Sequence, residues 1–243
     1  MVVADEIQNC DARHKVIEPP RFTLILAGQA PIASGGKSDV YEHPQYRDIL
    51  VKVIRERRVQ YRLAKMIGRR RRFGYILDYL RCIEQQAAVW ASEGDSARCL
   101  ERAHGFIATD YGIGLLVNAE RLGEELAPTL GSLVRNGQMN DSLTNKLYQF
   151  FNLLIDSPVV INDLAFENVV LSEEPDGVTR FILIDGYGDT AFIPIRSWSN
   201  WVNRRSKIKA CNHIRAKLAD KIRSVKALPL DEGSAVRQAL RLS

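Results

Sequence analysis

At 243 residues, 46% of them hydrophobic, the chain is long and apolar enough to bury a core, which excludes a wholly disordered protein. No apolar run approaches the roughly 20 residues that cross a bilayer, and acids near the N-terminus argue against a signal peptide, so we expect a cytoplasmic protein. The net charge of +5 excludes a strongly acidic chain, and four scattered cysteines without a CxxC pair disfavour a zinc or disulfide framework.

The positive charge is concentrated in two runs. Residues 55–72 and residues 204–226 each hold nine Lys and Arg side chains against a single acid. Such runs favour a polyanionic partner, such as nucleotide phosphates, nucleic acid or an anionic surface, although two solvated helix faces would give the same pattern. Nucleic acid is the weakest of these alternatives, because neither run matches a known binding motif.

The first half of the chain has the pattern of a β-rich region. Residues 1–20 lack periodicity, which predicts a loosely held extension. Apolar and β-branched runs then predict several strands and one amphipathic helix. The predicted strands are 21–26, 39–41, 49–54, 103–109 and 113–117, and the predicted helix is 75–91. We expect the last two strands to pair antiparallel around Asp110-Tyr111-Gly112.

Beyond Asn118 the pattern becomes mainly helical. Asp141 or Ser142 can cap a helix that ends before Pro158. Strands at 169–171 and 181–184 are expected to form a hairpin, and a basic helix follows from residue 197 to about residue 226. A mostly antiparallel β region followed by a more helical region predicts an α+β fold in two lobes.

Oxygen-bearing side chains lie at the margins of the apolar runs in this second half. The stretch VINDLAFENVVL places Asp163 five residues before Asn168, and RFILIDGYGD ends a strand at Asp185. In the protein-kinase pattern the first Asp accepts the proton of the attacking hydroxyl, while the Asn and the second Asp hold Mg²⁺. Such oxygen atoms are the ligands that Mg²⁺ requires. The sequence therefore predicts Asp163 as a catalytic base and the other two as metal ligands.

A lysine interrupts the apolar strand ILVKVI. A buried ammonium such as that of Lys52 needs an anionic partner, and the kinase pattern provides nucleotide phosphates and a Glu on the next helix. Glu84, at the middle of the predicted helix, is the expected partner. Each candidate alone has an ordinary alternative, a snorkelling lysine or a turn residue. Their order along the chain favours a common site.

Five stretches together resemble a known family. SGGKSDVYEHP, ILVKVI, HGFIATDYGIGLLVN, VINDLAFENVVL and FILIDGYGDTAFIPIRSWSNW are similar to the YrbL family, small kinase-like proteins linked to the PhoP regulatory network. The resemblance implies a two-lobed protein-kinase-like fold. Its mostly antiparallel β N-lobe would cover residues 21–117, and a reduced, mainly helical C-lobe would cover residues 118–243.

The resemblance also implies a function for the site residues. ATP would lie in the cleft between the lobes, with Lys52 on its α and β phosphates and Glu84 orienting Lys52. The predicted nucleotide-binding residues are Gly35, Gly36, Val40 and Lys52. Asp163 would be the base, and Asn168 and Asp185 would hold magnesium. The family does not specify the acceptor of the phosphoryl group.

Several residues depart from the protein-kinase pattern. Only Gly35 of the three loop glycines is matched, although Gly36 adds local freedom. Ala165 stands where protein kinases commonly place a lysine, and no Ala-Pro-Glu segment follows Asp185. We therefore expect a phosphotransferase for a small or anionic acceptor. The alternative is a pseudokinase that binds nucleotide or a partner protein and acts as a regulator.

Two tryptophans precede the second basic run. We expect Trp198 and Trp201 to lie in the core, as most large aromatic side chains do. The alternative is that both lie at an interface beside the basic face of residues 204–226, which could hold an anionic acceptor or a membrane surface.

Overall fold

The computed structural model describes five segments of the chain: residues 23–35, 38–54, 74–92, 98–189 and 195–227. The predicted extension at residues 1–20, the first basic run at residues 55–72 and Gly36 lie outside the described residues. Within the described segments the chain has a mixed α+β fold, as the sequence predicts.

Apolar and β-branched residues of the first half form a six-stranded sheet. Its strands are β1 (Thr23–Leu24), β2 (Ala33–Ser34), β3 (Ser38–Glu42), β4 (Ile49–Ile54), β5 (Ala103–Thr109) and β6 (Gly112–Asn118). The spatial order is β1-β5-β6-β4-β3-β2, and every pair is antiparallel except β1 with β5. The predicted bounds of β4 and β5 and the antiparallel pairing of β5 with β6 are confirmed.

Five α-helices accompany the sheet in the described segments. They are α1 (Gly74–Trp90), α2 (Leu130–Arg135), α3 (Asp141–Asp156), α4 (Ile195–Trp198) and α5 (Asn200–Ala227). The cap of α3 is Asn140 and not the predicted Asp141 or Ser142, because the extended Asn140 accepts a hydrogen bond from the Leu143 N–H at 2.9 Å. None of the helices in these segments is long and apolar enough to cross a membrane.

Two hairpins complete the fold. The first joins β7 (Arg121–Leu122) to β8 (Glu125–Leu126), and the second joins β9 (Val169–Glu173) to β10 (Thr179–Leu183). The larger hydrophobic core packs β9 and β10 against α2, α3 and α5, with Phe151, Phe181 and Leu183 almost fully buried. The hairpin that carries the segments around Asn168 and Asp185 is thus held by the main core.

The six-stranded sheet packs on both faces. Alternation along β4 directs Leu50 toward a cluster with Tyr79 of α1, and directs Val51 and Val53 toward a second cluster with Leu26. Lys52, two residues after Leu50, therefore faces the side of the sheet on which α1 packs.

Candidate functional site

Lys52 lies in the middle of β4, where its register pairs it with Val40 of β3 and Leu115 of β6. Its side chain is only 16% exposed. The Nζ atom donates one hydrogen bond to Glu101 Oε2 at 2.5 Å and another to the main-chain carbonyl of Ile184 at 2.7 Å. Because Ile184 directly precedes Asp185, the strand lysine lies beside the loop of the second predicted metal ligand.

The carboxylate partner of Lys52 is Glu101, and the predicted pairing with Glu84 is wrong. Helical periodicity places Glu84 on the exposed side of α1, whereas its neighbour Gln86 is buried. Glu101 is fixed from both sides of its backbone: its N–H donates to the Leu183 carbonyl at 3.0 Å, and its carbonyl accepts from Gln86 Nε2 at 2.7 Å. The sequence signal for this residue is an acid that directly follows the apolar pair Cys99-Leu100.

Burial and the contact between the two side chains together shift the pKa values of Lys52 and Glu101. Burial alone would lower the pKa of Lys52, but attraction to Glu101 and the hydrogen bond with it, together with attraction to Asp185, raise that pKa above its ordinary value. Burial raises the pKa of Glu101 to about 7, and the nearby ammonium offsets this only in part. The pair thus favours the protonated, cationic form of Lys52, while the pKa of its partner carboxyl lies above its ordinary value.

The loop that carries Asp163 is bound through the main chain to the loop after β10. The Asp163 N–H donates to the Gly186 carbonyl at 2.8 Å, and Asn168 Nδ2 donates to the Asp163 carbonyl at 3.1 Å. The N–H of Ile184 donates to the Asn168 carbonyl at 2.9 Å. Hydrogen bonds to main-chain carbonyls, one of them donated by the Asn168 side chain, thus connect the segments of Asp163, Asn168 and Asp185, and both carboxylates are exposed.

Gly186 has a steric role in this set of bonds. Its φ of +82° is in the left-handed region, and a Cβ atom at this position would lie 1.9 Å from the Asp163 carbonyl oxygen. The Gly186 N–H donates to the Asp185 carboxylate at 2.7 Å. The departure from the kinase pattern at this position therefore has a physical reason, since no side chain fits here.

A small cavity lies between β4, α1 and the segment 184–187. Lys52, Glu101 and Asp185 line it, with Ser38 from the start of β3. Its volume of about 70 Å³ is far below the roughly 300–1,000 Å³ of typical ligand pockets. The cavity thus brings a lysine and two carboxyl groups together in a small space, with Asp185 on its exposed side.

The other predicted site residues lie around this cavity without lining it. Val40 neighbours Lys52 in the sheet, and Gly35 lies in the β2–β3 connection, where its N–H donates to the Ser38 carbonyl at 2.9 Å. Asp163 and Asn168 adjoin the cavity through Gly186, and Glu84 lies away from it on α1.

Asn168 and Asp185 provide oxygen atoms of the kind that Mg²⁺ prefers. In the part of the chain that the structure describes, no group of three or more His, Cys, Asp and Glu side chains could hold a metal ion. Mg²⁺ commonly binds through one or two carboxylates together with water and substrate phosphates. Magnesium binding by Asn168 and Asp185 stays a prediction that rests on the chemistry of their oxygen atoms.

The prediction that both tryptophans lie in the core is wrong. Trp198 is 73% exposed and Trp201 is 68% exposed. The buried side of α5 recurs every three or four residues, which turns Trp201 outward. The buried residues are Asn203, Lys207, Cys211, Ile214 and Leu218.

The model of one protein family matches the chain. That family is described as PhoP regulatory network protein YrbL, and the match covers residues 24–219, which is well over half of the sequence. The matched region contains Lys52, Glu101, Asp163, Asn168 and Asp185. A comparison with curated proteins finds no match.

Proposed function

The chain belongs to the YrbL family of PhoP regulatory network proteins, and from the geometry around Lys52 we propose that it is an ATP- and Mg²⁺-dependent phosphotransferase with a two-lobed, protein-kinase-like fold. The observation that carries this proposal is the 2.7 Å hydrogen bond from Lys52 Nζ to the carbonyl of Ile184. This bond holds the Lys52 ammonium next to the loop of Asp185, and a phosphate-binding lysine and a metal-binding carboxylate must lie this close to serve one nucleotide.

Each residue has a role that its environment supports. Lys52 would donate to the α and β phosphates of ATP, because its pKa is held above the ordinary value. Asp163 is exposed and can accept the proton of an acceptor hydroxyl. Asn168 and Asp185 would hold magnesium, which when bound neutralises charge that develops on the transferred group.

Nucleotide binding requires the site to open. The cavity of about 70 Å³ is too small for ATP, and Lys52 is already engaged by Glu101. Phosphate oxygens would replace the Glu101 carboxylate as partners of Lys52, and the neutral form of Glu101 would then cost little to leave buried, because its pKa is about 7. We expect the acceptor to be a small or anionic molecule.

Thermal unfolding with ATP tests nucleotide binding. ATP with Mg²⁺ should raise the melting temperature of the wild type, since a ligand present at ~100 times its Kd stabilises the fold by about 2.7 kcal/mol. ATP without metal should raise it less. Asp185→Asn should lose the metal-dependent part of the shift, whereas the control Asp176→Asn, in the exposed β9–β10 turn, should keep it. The proposal fails if ATP with Mg²⁺ leaves the wild-type melting temperature unchanged.

A pseudokinase is the second candidate function. The small volume of the cavity, the single matched loop glycine and the Ala165 position favour a protein that binds nucleotide without transferring phosphate. ATP hydrolysis or autophosphorylation by wild type and Asp163→Ala distinguishes the two. A large loss of turnover in the variant supports the phosphotransferase, and equal turnover combined with an ATP-dependent thermal shift supports the pseudokinase.

A further inference from the structure

The outer side of α4 and α5 exposes large apolar side chains next to basic ones. We define the tryptophan face as Trp198, Trp201, Arg205, Ile208 and Lys209. Trp198 is 73% exposed, Trp201 is 68% exposed and Ile208 is 38% exposed. None of these residues lines the cavity at Lys52. The face is thus a separate feature of the protein.

Helix geometry explains why the α5 members of the face lie on one side, while Trp198 is exposed on the preceding helix α4. Trp201, Arg205 and Ile208 are spaced by four and three residues, which aligns them along a helix. The buried side of α5 faces the main core through Cys211, Ile214 and Leu218. Because the core side of α5 is fully used by packing, the tryptophan face does not contribute to the core.

The same helix carries a strong excess of exposed positive charge. Among residues 200–224, whose burial the structure describes, the exposed acid is Asp220 and six basic side chains are exposed: Arg204, Arg205, Lys209, Lys217, Lys221 and Arg223. The Arg205 guanidinium lies 5.5 Å from the centre of the Trp201 ring, so a cation and an aromatic ring are presented together. The face therefore joins apolar area to positive charge.

We propose that the tryptophan face binds the surface of an anionic lipid bilayer, with α4 and α5 lying in the plane of the interface. Tryptophan rings prefer the headgroup level of a membrane, and helices with basic residues beside Trp or Leu bind anionic surfaces peripherally. Each Lys or Arg near such a surface strengthens binding by about five-fold.

Other occupants fit the face less well. A symmetric contact between two copies would bring Arg205 and Lys209 of one tryptophan face close to the same residues of the other, so charge repulsion opposes it. A protein partner normally anchors aromatic hot spots in enclosed pockets. The surface beside Trp201 and Ile208 is an open, shallow depression, which suits a deformable lipid surface better.

Co-sedimentation of the full chain with vesicles tests the proposal. We expect binding to vesicles of phosphatidylcholine with phosphatidylglycerol and little binding to phosphatidylcholine alone. Binding should fall when salt is raised from ~0.1 M to ~1 M, because the Debye length shortens from about 10 Å to about 3 Å. Absence of binding to the anionic vesicles at low salt overturns the proposal.

Matched variants locate the binding face. Trp198→Ala with Trp201→Ala should reduce retention at least ten-fold, whereas Trp90→Ala, which removes a tryptophan 61% exposed on α1, should not. Arg205→Glu should reduce retention at least five-fold. Lys217→Glu is the charge control, because it lies about 160° around the helix from Trp201 and should have a smaller effect. Equal retention of the double variant and the wild type overturns the proposal.

Tryptophan fluorescence gives a second measurement, in which the residues of the tryptophan face are left unchanged. The chain has three tryptophans, so Trp90→Phe leaves only Trp198 and Trp201 as emitters. Their emission should shift to shorter wavelength with anionic vesicles and stay unchanged with neutral ones. An unchanged emission with both vesicle types contradicts insertion of the rings. Retention on duplex DNA without retention on vesicles would assign the face to nucleic acid and overturn the lipid proposal.

Discussion

Lys52 Nζ and Glu101 Oε2 lie 2.5 Å apart, and their side chains are 16% and 3% exposed. Removing one partner of a buried pair leaves an uncompensated charge. Glu101→Leu should therefore lower the free energy of unfolding by about 3–5 kcal/mol, measured by urea denaturation. Glu84→Leu, on the exposed side of α1, should change it by no more than about 0.5 kcal/mol.

A double-mutant cycle isolates the pair from other effects of the substitution. Lys52→Met combined with Glu101→Leu should recover much of the stability lost in Glu101→Leu, because both buried charges are then removed. Strictly additive losses in the double variant would contradict a direct coupling of the two side chains.

The carboxyl of Glu101 should make stability depend on pH. Its pKa is raised from 4.5 to about 7 in the folded protein, so the folded state binds this proton more tightly than the unfolded chain does. The stability that this group contributes is complete below about pH 4.5 and is lost as the pH rises through 7. Relative to Glu101→Gln, the wild type should lose on the order of 2–3 kcal/mol between pH 4.5 and pH 8. Parallel stability profiles of the two proteins over this range would refute the assignment.

Gly186 should be far less replaceable than a second glycine with the same backbone conformation. Gly186 and Gly177 have φ values of +82° and +80°, but an added Cβ meets the Asp163 carbonyl at 1.9 Å in the first case and has its nearest neighbour at 3.9 Å in the second. Gly177→Ala should cost about 1–2 kcal/mol for the left-handed conformation alone. Gly186→Ala should cost clearly more and weaken nucleotide binding. Equal losses of stability in chemical denaturation would show that the overlap at Asp163 relaxes freely.

Lys207 is a buried lysine whose removal should stabilise the protein. It is 1% exposed, and its Nζ donates to the Ser157 carbonyl at the end of α3. Burial lowers its pKa from 10.5 to about 8. The unfolded chain therefore binds this proton more tightly, and the resulting destabilisation is complete below about pH 8 and disappears as the pH rises toward 10.5.

At pH 7, Lys207→Met should raise the free energy of unfolding by about 1–3 kcal/mol, and this gain should shrink above pH 8. Lys217→Met on the exposed side of α5 should have little effect at either pH. A loss of stability in Lys207→Met would mean that the hydrogen bond to Ser157 outweighs the cost of burying the charge.

The sequence predicts the elements that have a clear period or a clear end. The run ILVKVI gives β4 with its observed bounds, and the apolar spacing of residues 143–155 gives α3. The six-residue helix α2 is missing from the prediction, because a helix of fewer than two turns shows too few repeats of the helical period to be recognised.

The candidate site is harder to predict because it depends on contacts between distant segments. The position of Lys52 next to Asp185 follows from motif order, but its pairing with Glu101 joins residues 49 positions apart. Periodicity can indicate that one side of α1 is buried, yet it does not tell which acid elsewhere in the chain meets the lysine. For Trp198 and Trp201, size alone predicts burial, and only the packing of α5 shows which side turns outward.

Two neighbouring glutamines of α1 connect this helix to two segments of the candidate site. Gln85 Oε1 accepts from the Val160 N–H at 2.7 Å, and Gln86 Nε2 donates to the Glu101 carbonyl at 2.7 Å. Helix α1 is thus hydrogen-bonded both to the segment that precedes Asp163 and to the backbone of Glu101, the partner of Lys52. A shift of α1 would therefore move the segment before Asp163 and the segment of Glu101 together, so a change at one of them is transmitted to the other.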